Sequence, residues 1–159
     1  LTADRVYNLP VPANMHLALV TPHVEVATAL ARAALPAEIS LKQMVSQTAG
    51  VAELIHAIYT GDLGHLAAAM ERDRVIEPAR EHLMPFMRNV RATAKRTGAL
   101  GMVISGAGPT LMALCDSQST AEAVASAMKA VYEMEGIGAT AQASMVAPDG
   151  ARVVRIERG

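Results

Sequence analysis

The sequence predicts an α+β domain with an antiparallel sheet and helices gathered on one face. The 159 residues are 52% hydrophobic and 18% charged, which provides enough apolar material for one compact core. Residues 100–104 and 111–115 are apolar runs on either side of a glycine-rich turn, a pattern typical of paired strands. Segments before and after these runs carry apolar residues at the three-to-four spacing of helices. Together these observations favour a mixed fold with an antiparallel sheet.

The first predicted element is a hairpin. Residues 6–11 and 16–20 are short apolar runs joined by Pro12-Ala13-Asn14, and Pro10 would confine the first strand to a sheet edge. A short helix then begins near residue 25 and ends before Pro36.

Several helical segments follow the hairpin. Residues 41–58 have a helical period interrupted at Gly50, which predicts one helix or a pair of helices, and residues 63–70 are good helix formers. Pro78 marks either a new helix start or a kink. The next helix should end at Gly98. Its apolar stripe consists of Leu83, Met87, Val90 and Ala94.

The last predicted elements are a helix and a closing hairpin. Ser119-Thr120-Ala121-Glu122 resembles the start of a capped helix, which we expect to run to Glu135. Residues 139–146 and 151–156, separated by Pro148-Asp149-Gly150, are predicted to pair as the final hairpin.

Composition and charge argue against several classes of protein. A formal net charge of −1, with three Tyr, one Phe and no Trp, gives no basic or aromatic surface for nucleic acid. The single Cys115 cannot form an internal disulfide, so we expect a cytoplasmic location. The first residues carry no secretory signal, and a glycine-proline turn divides the uncharged residues 98–115, so we expect no membrane contact.

The most distinctive segment is Ser105-Gly106-Ala107-Gly108-Pro109-Thr110, between two predicted strands. Its glycines would let the backbone approach a ligand and present N–H groups to an anion such as phosphate. The alternative is an ordinary tight turn, for which glycine and proline are the usual residues. The hexapeptide alone slightly favours the turn, and no Gly-Lys-Ser/Thr follows to make it a P-loop.

Two arginines are candidate ligands for an anionic substrate. Thr28 and Arg32 lie four residues apart on a predicted helix and so share a face, while Arg80 lies in a separate charged segment. The guanidinium group binds carboxylate or phosphate through a fork of donors. The alternative, that both arginines are solvated and Arg80 pairs with Glu77 or Glu81, is favoured on these residues alone because surface arginines are common.

No other residues form a recognisable catalytic or metal site. Asp73 and Glu77 alternate with arginines, which favours a solvated face of ion pairs. Cys115 lies in an apolar strand and is expected to be a buried, inert thiol. We predict no catalytic nucleophile and no metal ligand in this chain. The histidines, which lack metal-ligand spacing, are His16, His23, His56, His65 and His82.

Three segments, in order, resemble those of homoserine kinases in the GHMP (galacto-, homoserine, mevalonate, phosphomevalonate) kinase superfamily. Thr28-Ala29-Leu30-Ala31-Arg32, with Pro36 behind it, resembles a Thr-x-x-x-Arg substrate element. Asp73-Arg74-Val75-Ile76-Glu77-Pro78-Ala79-Arg80 resembles the segment that ends in a substrate-binding arginine. The hexapeptide from Ser105 to Thr110 resembles the third motif of the superfamily. The resemblance is to the C-terminal half of these kinases and covers nearly the whole chain.

The resemblance implies a ferredoxin-like C-terminal domain of an enzyme that transfers the γ-phosphoryl group of ATP to the hydroxyl of L-homoserine, in threonine biosynthesis. It implies that Arg32 and Arg80 hold the substrate carboxylate and that Thr28 lies near the substrate or the transferring group. It also implies a loop beside the nucleotide phosphates, formed by Ser105, Gly106, Ala107 and Gly108.

The same resemblance makes residues 1–159 the substrate-side domain of a longer kinase. The glycine- and serine-rich phosphate motif and the metal-binding carboxylate of the family's N-terminal half are not found in this chain. We therefore expect the ligands of ATP and Mg²⁺ in an N-terminal ATP-binding domain, which would be the partner of this one. A homodimer stays open, and the chain alone is expected to be inactive.

Two alternatives remain at this point. Another GHMP-type kinase, acting on mevalonate or a sugar, is disfavoured because two arginines suit an amino-acid carboxylate. A non-catalytic ferredoxin-like module would instead bind a metabolite or pair with another chain through a sheet edge.

Overall fold

The computed structural model describes residues 7–147. In chain order, their elements are β1 (His16–Pro22), α1 (Thr28–Ala33), α2 (Leu41–Thr60), α3 (Leu63–Met70), α4 (Ile76–Arg80), a 3₁₀ turn (Glu81–Leu83), α5 (Met87–Thr97), β2 (Gly101–Ile104), β3 (Leu111–Cys115), α6 (Gln118–Met134) and β4 (Ala139–Met145).

The four strands form one antiparallel sheet in the order β2-β3-β1-β4. β1 lies inside the sheet, with His16 opposite Cys115 of β3 on one side and Met145 of β4 on the other. A first strand held between the third and the fourth is the ferredoxin-like arrangement. The predicted α+β class with an antiparallel sheet is therefore confirmed.

The larger core lies between one face of the sheet and the helices α5 and α6. A fully buried Val, Leu or Met side chain stabilises the folded state by roughly 1.5–3 kcal/mol. The sheet contributes Ala18, Val20, Met102, Leu111 and Ala113, and the helices contribute Met87, Val90, Val124, Met128 and Tyr132.

Helices also cover part of the opposite face, so the prediction that they gather on one face is wrong. Gly101 and Leu114 face each other across β2 and β3 and point to the same side, where α3 packs with α2 behind it. A Cβ added at Gly101 would lie 3.0 Å from the Cβ of Ala67 in α3. The physical reason is that β3 is apolar at every position, so both of its faces need cover.

The predicted N-terminal hairpin does not form. Residues 7–11 contain no strand, because both edges of β1 are already paired, with β3 and β4. Pro10 and Pro12 could not donate hydrogen bonds to a neighbouring strand in any case. At the other end of the chain, residues 151–156 of the predicted closing hairpin lie outside the described residues.

Four helices differ from their predictions, and the first of them, α1, begins at Thr28 rather than near residue 25. α2 runs without interruption through Gly50, from a Ser40 and Gln43 capping box to Gly61. A glycine inside a helix costs only about 1 kcal/mol, which packing against α3 outweighs. α5 begins at Met87 rather than near residue 83, because Phe86 has a left-handed φ of 55°. α6 begins at Gln118, with the Ser117 side chain as its cap.

None of the helices in the described part of the chain is long and apolar enough to cross a membrane.

Candidate functional site

The glycine-rich hexapeptide forms an ordered turn between β2 and β3. Its ends are joined by a hydrogen bond from the Ser105 N–H to the Thr110 carbonyl (2.9 Å), and the Gly108 N–H donates to the Ser105 carbonyl (3.1 Å). Gly106 and Gly108 both have positive φ, of 63° and 84°. Within residues 7–147, the N–H groups of Gly106 and Ala107 donate to no protein acceptor, so the turn leaves two donors for a ligand.

A buried methionine packs against the turn at Gly108. The Sδ and Cε atoms of Met84 occupy the space that a Cβ on Gly108 would need. Met84 is 3% exposed and belongs to the larger core. On the other side, the hydroxyl of Thr110 is 2.8 Å from the hydroxyl of Thr21 on β1. The conformation of the turn is therefore coupled to the core and to the sheet.

Arg80 joins the turn to α1. Its Nε–H donates to the carbonyl of Ala31 in α1 (3.0 Å), and its Nη1–H donates to the carbonyl of Gly106 (3.0 Å). The alternative pairings of Arg80 with Glu77 and Glu81 are wrong, because Glu77 pairs with Arg91 and Glu81 pairs with Arg88. The two hydrogen bonds of Arg80 use two of the five guanidinium donors and leave three for a ligand.

Thr28 and Arg32 lie on the short helix α1 that Arg80 contacts. Thr28 is the first residue of α1, Arg32 lies one turn later, and both side chains are exposed. Within the described part of the chain, Arg32 makes no ion pair or side-chain hydrogen bond. The structure thus places α1, Arg80 and the turn in contact through backbone carbonyls. It shows no direct contact between the side chains of Arg32 and Arg80.

A cavity of about 240 Å³ lies between α2, α4 and β2, next to this contact. Its lining is both charged and apolar. The charged lining residues are Asp73, Glu77 and Arg80, and the apolar ones include Leu54, Ile76 and Val103.

Asp73 holds the start of α4. Its carboxylate accepts backbone N–H groups from Val75 (2.8 Å), Ile76 (2.9 Å) and Glu77 (2.8 Å), and the side-chain amide of Gln47 donates to it at 2.7 Å. Burial raises the pKa of Asp73, but these four hydrogen bonds outweigh it, and the net shift is below the ordinary value. The predicted solvated face of ion pairs is therefore wrong for Asp73.

Glu77 is also partly buried rather than solvated. Its side chain is 15% exposed, its Oε1 accepts from Nη2 of Arg91 (2.6 Å), and its Oε2 accepts from the N–H of Ile104 (3.1 Å). The sequence predicts no role in the site for Glu77 or Asp73. The partners of Glu77 are Arg91 and Ile104, which are far away in the sequence, so no local pattern identifies them. Asp73 differs, because three of its four partners lie two to four residues after it, where an aspartate before a helix is a local signal.

We expect Asp73→Ala to destabilise the protein by about 1–2 kcal/mol at pH 7, because α4 loses its N-terminal acceptor. The folded carboxyl has a lowered pKa, so its contribution is complete above the unfolded pKa of about 3.9 and is lost as pH falls through the folded pKa. The difference in unfolding free energy between Asp73→Ala and the unmodified protein should shrink below about pH 4. Denaturant unfolding at several pH values measures this difference.

Asp62→Ala is the matched control for this prediction. Asp62 also accepts a backbone N–H at a helix start, but only the one from His65 (2.9 Å). Its replacement should cost less than that of Asp73. Equal stability of Asp73→Ala and the unmodified protein at pH 7 would show that Asp73 does not hold α4.

The remaining titratable candidates form no second site in the described residues. Cys115 is fully buried, and burial together with the negative charge of Asp116 raises the pKa of its thiol to about 11. A thiol with this pKa is largely protonated and unreactive near neutral pH. Within residues 7–147, no three His, Cys, Asp or Glu side chains lie together so that they could hold a metal ion.

The chain matches the family model described as GHMP kinases C terminal over residues 54–133, about half of its length. It is 36% identical over 148 residues to homoserine kinase of Chlorobium phaeobacteroides (strain BS1), an alignment that covers 92% of this chain and 46% of that protein. It is 34% identical over 146 residues to homoserine kinase of Arabidopsis thaliana, covering 91% of this chain and 40% of that protein.

The structure is similar to the crystal structure of homoserine kinase from Cytophaga hutchinsonii ATCC 33406. The TM-score is 0.86 at 39% identity, over 89% of this chain and 45% of that chain. The likeness to L. major mevalonate kinase, with a TM-score of 0.64 at 20% identity, concerns the fold alone. The chain spans about half the length of the curated relatives it matches.

Proposed function

Because the chain belongs to the GHMP kinase family, through the C-terminal domain of that family, we propose that it is the C-terminal, substrate-side half of a homoserine kinase. The reaction is transfer of the γ-phosphoryl group of ATP to the hydroxyl of L-homoserine, in threonine biosynthesis. The relatives named homoserine kinase, at 34–36% identity over more than nine-tenths of this chain, support the substrate assignment.

The observation that carries the proposal is the double contact of Arg80. One guanidinium group lies against both the helix that bears Thr28 and Arg32 and the turn that bears Gly106 and Gly108. In phosphoryl transfer, the protein mainly positions two substrates and stabilises charge, and it needs no covalent nucleophile. A residue shared by two candidate binding elements suits that task.

Each candidate residue has a role in this proposal. Arg32 and the free donors of Arg80 bind the homoserine carboxylate, and Thr28 lies near the substrate. The turn from Ser105 to Gly108 faces the nucleotide phosphates with its two free N–H groups. None of these residues forms a covalent intermediate.

ATP and Mg²⁺ are expected to be held mainly outside this chain. The glycine- and serine-rich phosphate motif and the metal-binding carboxylate of the family's N-terminal half are not found in this chain. We propose that the ligands of ATP and Mg²⁺ belong to an N-terminal ATP-binding domain, the partner of this one, in a cytoplasmic enzyme. A homodimer is also proposed, because α2 exposes the apolar side chains of Leu41, Val45 and Ile55, which a second copy could cover. Light scattering tests this.

We expect the full-length protein to release ADP in the presence of ATP, Mg²⁺ and L-homoserine, and residues 1–159 alone to release none. In this proposal, the residues that hold the transferring phosphoryl group lie in the N-terminal domain. Binding of homoserine alone is not sufficient for phosphoryl transfer. A coupled ADP assay on both proteins measures this. Isothermal titration with homoserine and with an ATP analogue shows which ligand each protein binds.

Two outcomes would contradict the proposal. Homoserine-dependent ADP release by residues 1–159 would show that the chain contains a complete nucleotide site. Faster turnover of mevalonate than of homoserine by the full-length protein would move the substrate assignment to another GHMP-type kinase.

A further inference from the structure

β2 is the edge strand of the sheet, and two glutamates bind its free backbone donors. Among residues 7–147, the order β2-β3-β1-β4 leaves one side of β2 without a partner strand. On that side, the N–H of Met102 donates to Glu71 (3.0 Å), and the N–H of Ile104 donates to Glu77 (3.1 Å). An unpaired edge donor needs an acceptor, and carboxylates supply one at each of these positions.

The two glutamates also make the same second contact. Glu71 pairs with Lys95 (2.5 Å) and Glu77 pairs with Arg91 (2.6 Å), and the two cations lie one turn apart on α5. The glutamate side chains are similarly shielded, with exposures of 21% and 15%. As interactions that stabilise the fold, the two sets of contacts are closely matched.

The two glutamates differ in which parts of the candidate site they are close to. Ile104 is the last residue of β2, directly before the turn that begins at Ser105. Glu77 is in α4, three residues before Arg80, whereas Glu71 is the cap residue at the end of α3. Only the Glu77 carboxylate therefore connects the start of the turn to the helix that carries Arg80.

The helix α4 depends on such polar contacts. It has five residues, and none of them is fully buried. Asp73 holds its start, Glu77 ties it to β2 and α5, and Arg80 ties its end to α1 and the turn. With so little apolar packing, the orientation of α4 is set by these charged side chains.

We propose that Glu77 is a positioning residue, which fixes the place of the Arg80 guanidinium relative to the turn from Ser105 to Gly108. The inference rests on the proposed function, in which Arg80 binds the homoserine carboxylate and the turn faces the nucleotide. Through the Ile104 N–H, one carboxylate sets the separation of the two substrate sites. Phosphoryl transfer is sensitive to such a separation, because a small misplacement of the reactants costs much of the rate.

The test compares Glu77→Gln with Glu71→Gln in the full-length protein. Both variants lose an ion pair to α5, and we expect similar decreases in Tm. Only Glu77→Gln should raise the KM for homoserine and lower kcat/KM, by roughly tenfold. Glu71→Gln should keep the kinetic constants of the unmodified protein within about twofold.

A second measurement separates positioning from loss of stability. If Glu77 acts through Arg80, Glu77→Gln should reduce kcat/KM much less in an Arg80→Ala background than in the unmodified protein. A purely structural role would give the same fold-reduction in both backgrounds. If Glu77→Gln does not fold, the same comparison is made with Arg91→Gln and Lys95→Gln. Arg91→Gln keeps the Glu77 carboxylate but removes the cation that pairs with it, and Lys95→Gln does the same for Glu71.

The outcomes distinguish the inference from the function on which it rests. An active full-length protein in which Glu77→Gln and Glu71→Gln have the same KM for homoserine overturns the inference alone. A full-length protein without homoserine kinase activity overturns the proposed function and the inference with it. Additive losses for Glu77→Gln and Arg80→Ala also overturn the positioning role.

Discussion

Replacing Arg80 with alanine in the full-length protein should lower kcat/KM for homoserine by roughly ten- to a hundredfold or more. A charge-assisted contact to a carboxylate in a partly desolvated pocket is worth about 1.5–3 kcal/mol. Arg80 also donates to the carbonyls of Ala31 and Gly106, so its loss releases α1 from the turn. We therefore expect Tm to fall by a few degrees in addition to the kinetic effect.

Arg32→Ala is the matched comparison for this prediction. Arg32 is exposed and makes no ion pair within the described residues, so its removal should leave Tm unchanged. In the proposed site it binds the same carboxylate, and kcat/KM should again fall by roughly tenfold or more. Initial rates and thermal melts measure both effects. Normal kinetics in both folded variants would make the two arginines ordinary surface residues.

Gly108→Val should damage nucleotide binding more than homoserine binding. Gly108 has a φ of 84°, which a β-branched residue rarely adopts, and the new Cβ would overlap the side chain of Met84. Strain of this kind costs about 1–3 kcal/mol, and the turn must move to relieve it. We expect the KM for ATP to rise by about tenfold or more and the KM for homoserine to change less.

Gly106→Val provides the control for the Gly108 variant. Gly106 also has a positive φ, of 63°, but an added Cβ there would meet no atom within 4 Å. It tests backbone strain without the overlap with Met84, so its effect on Tm should be smaller. A folded Gly108→Val protein with a normal KM for ATP would identify the hexapeptide as a plain turn.

Local signals in the sequence predicted the centre of the fold well. Residues 100–104 and 111–115 are consecutive, apolar and joined by a glycine-proline turn, and they form β2 and β3 within one residue of the expected bounds. The strand predicted at residues 16–20 forms as β1, but its pairing with residues 6–11 was wrong, because the partners of β1 lie about a hundred residues or more away along the chain. His16 pairs with Cys115 and Met145, which no short-range pattern identifies.

The placement of the helices could not be predicted from periodicity either. A helical period shows which side of a helix is apolar but not which face of the sheet it covers. The face that α3 covers depends on its close contact with the sheet, where Ala67 lies against Gly101. This contact is possible because Gly101 has no side chain. The interruption of the helical period at Gly50 does not break α2 for a similar reason, since packing of α2 on α3 outweighs a local preference.

The residue types indicate the candidate ligands of the proposed site. The structure adds the contacts that hold those residues in place. Arginine and glycine are residue types that bind anions, so the sequence makes Arg80 and the turn from Ser105 to Gly108 candidates, although residue chemistry alone favours a surface arginine and an ordinary turn. The charged neighbours of Asp73 and Glu77 predict a solvated face. The fold instead brings Gln47 of α2 to Asp73, and Arg91 of α5 and the edge of β2 to Glu77. The other partners of Asp73 are the backbone N–H groups of residues 75–77, which are local in the sequence.

The most direct test of the proposed carboxylate site is the ratio of kcat/KM for L-homoserine to kcat/KM for 3-aminopropan-1-ol. This amino alcohol is homoserine with the carboxylate replaced by hydrogen. We predict that the full-length protein strongly prefers homoserine and that the ratio falls by roughly tenfold or more in Arg32→Ala and in Arg80→Ala, because the lost contact was never made with the alcohol. An unchanged ratio in both folded variants would contradict the assignment of these arginines to the substrate carboxylate.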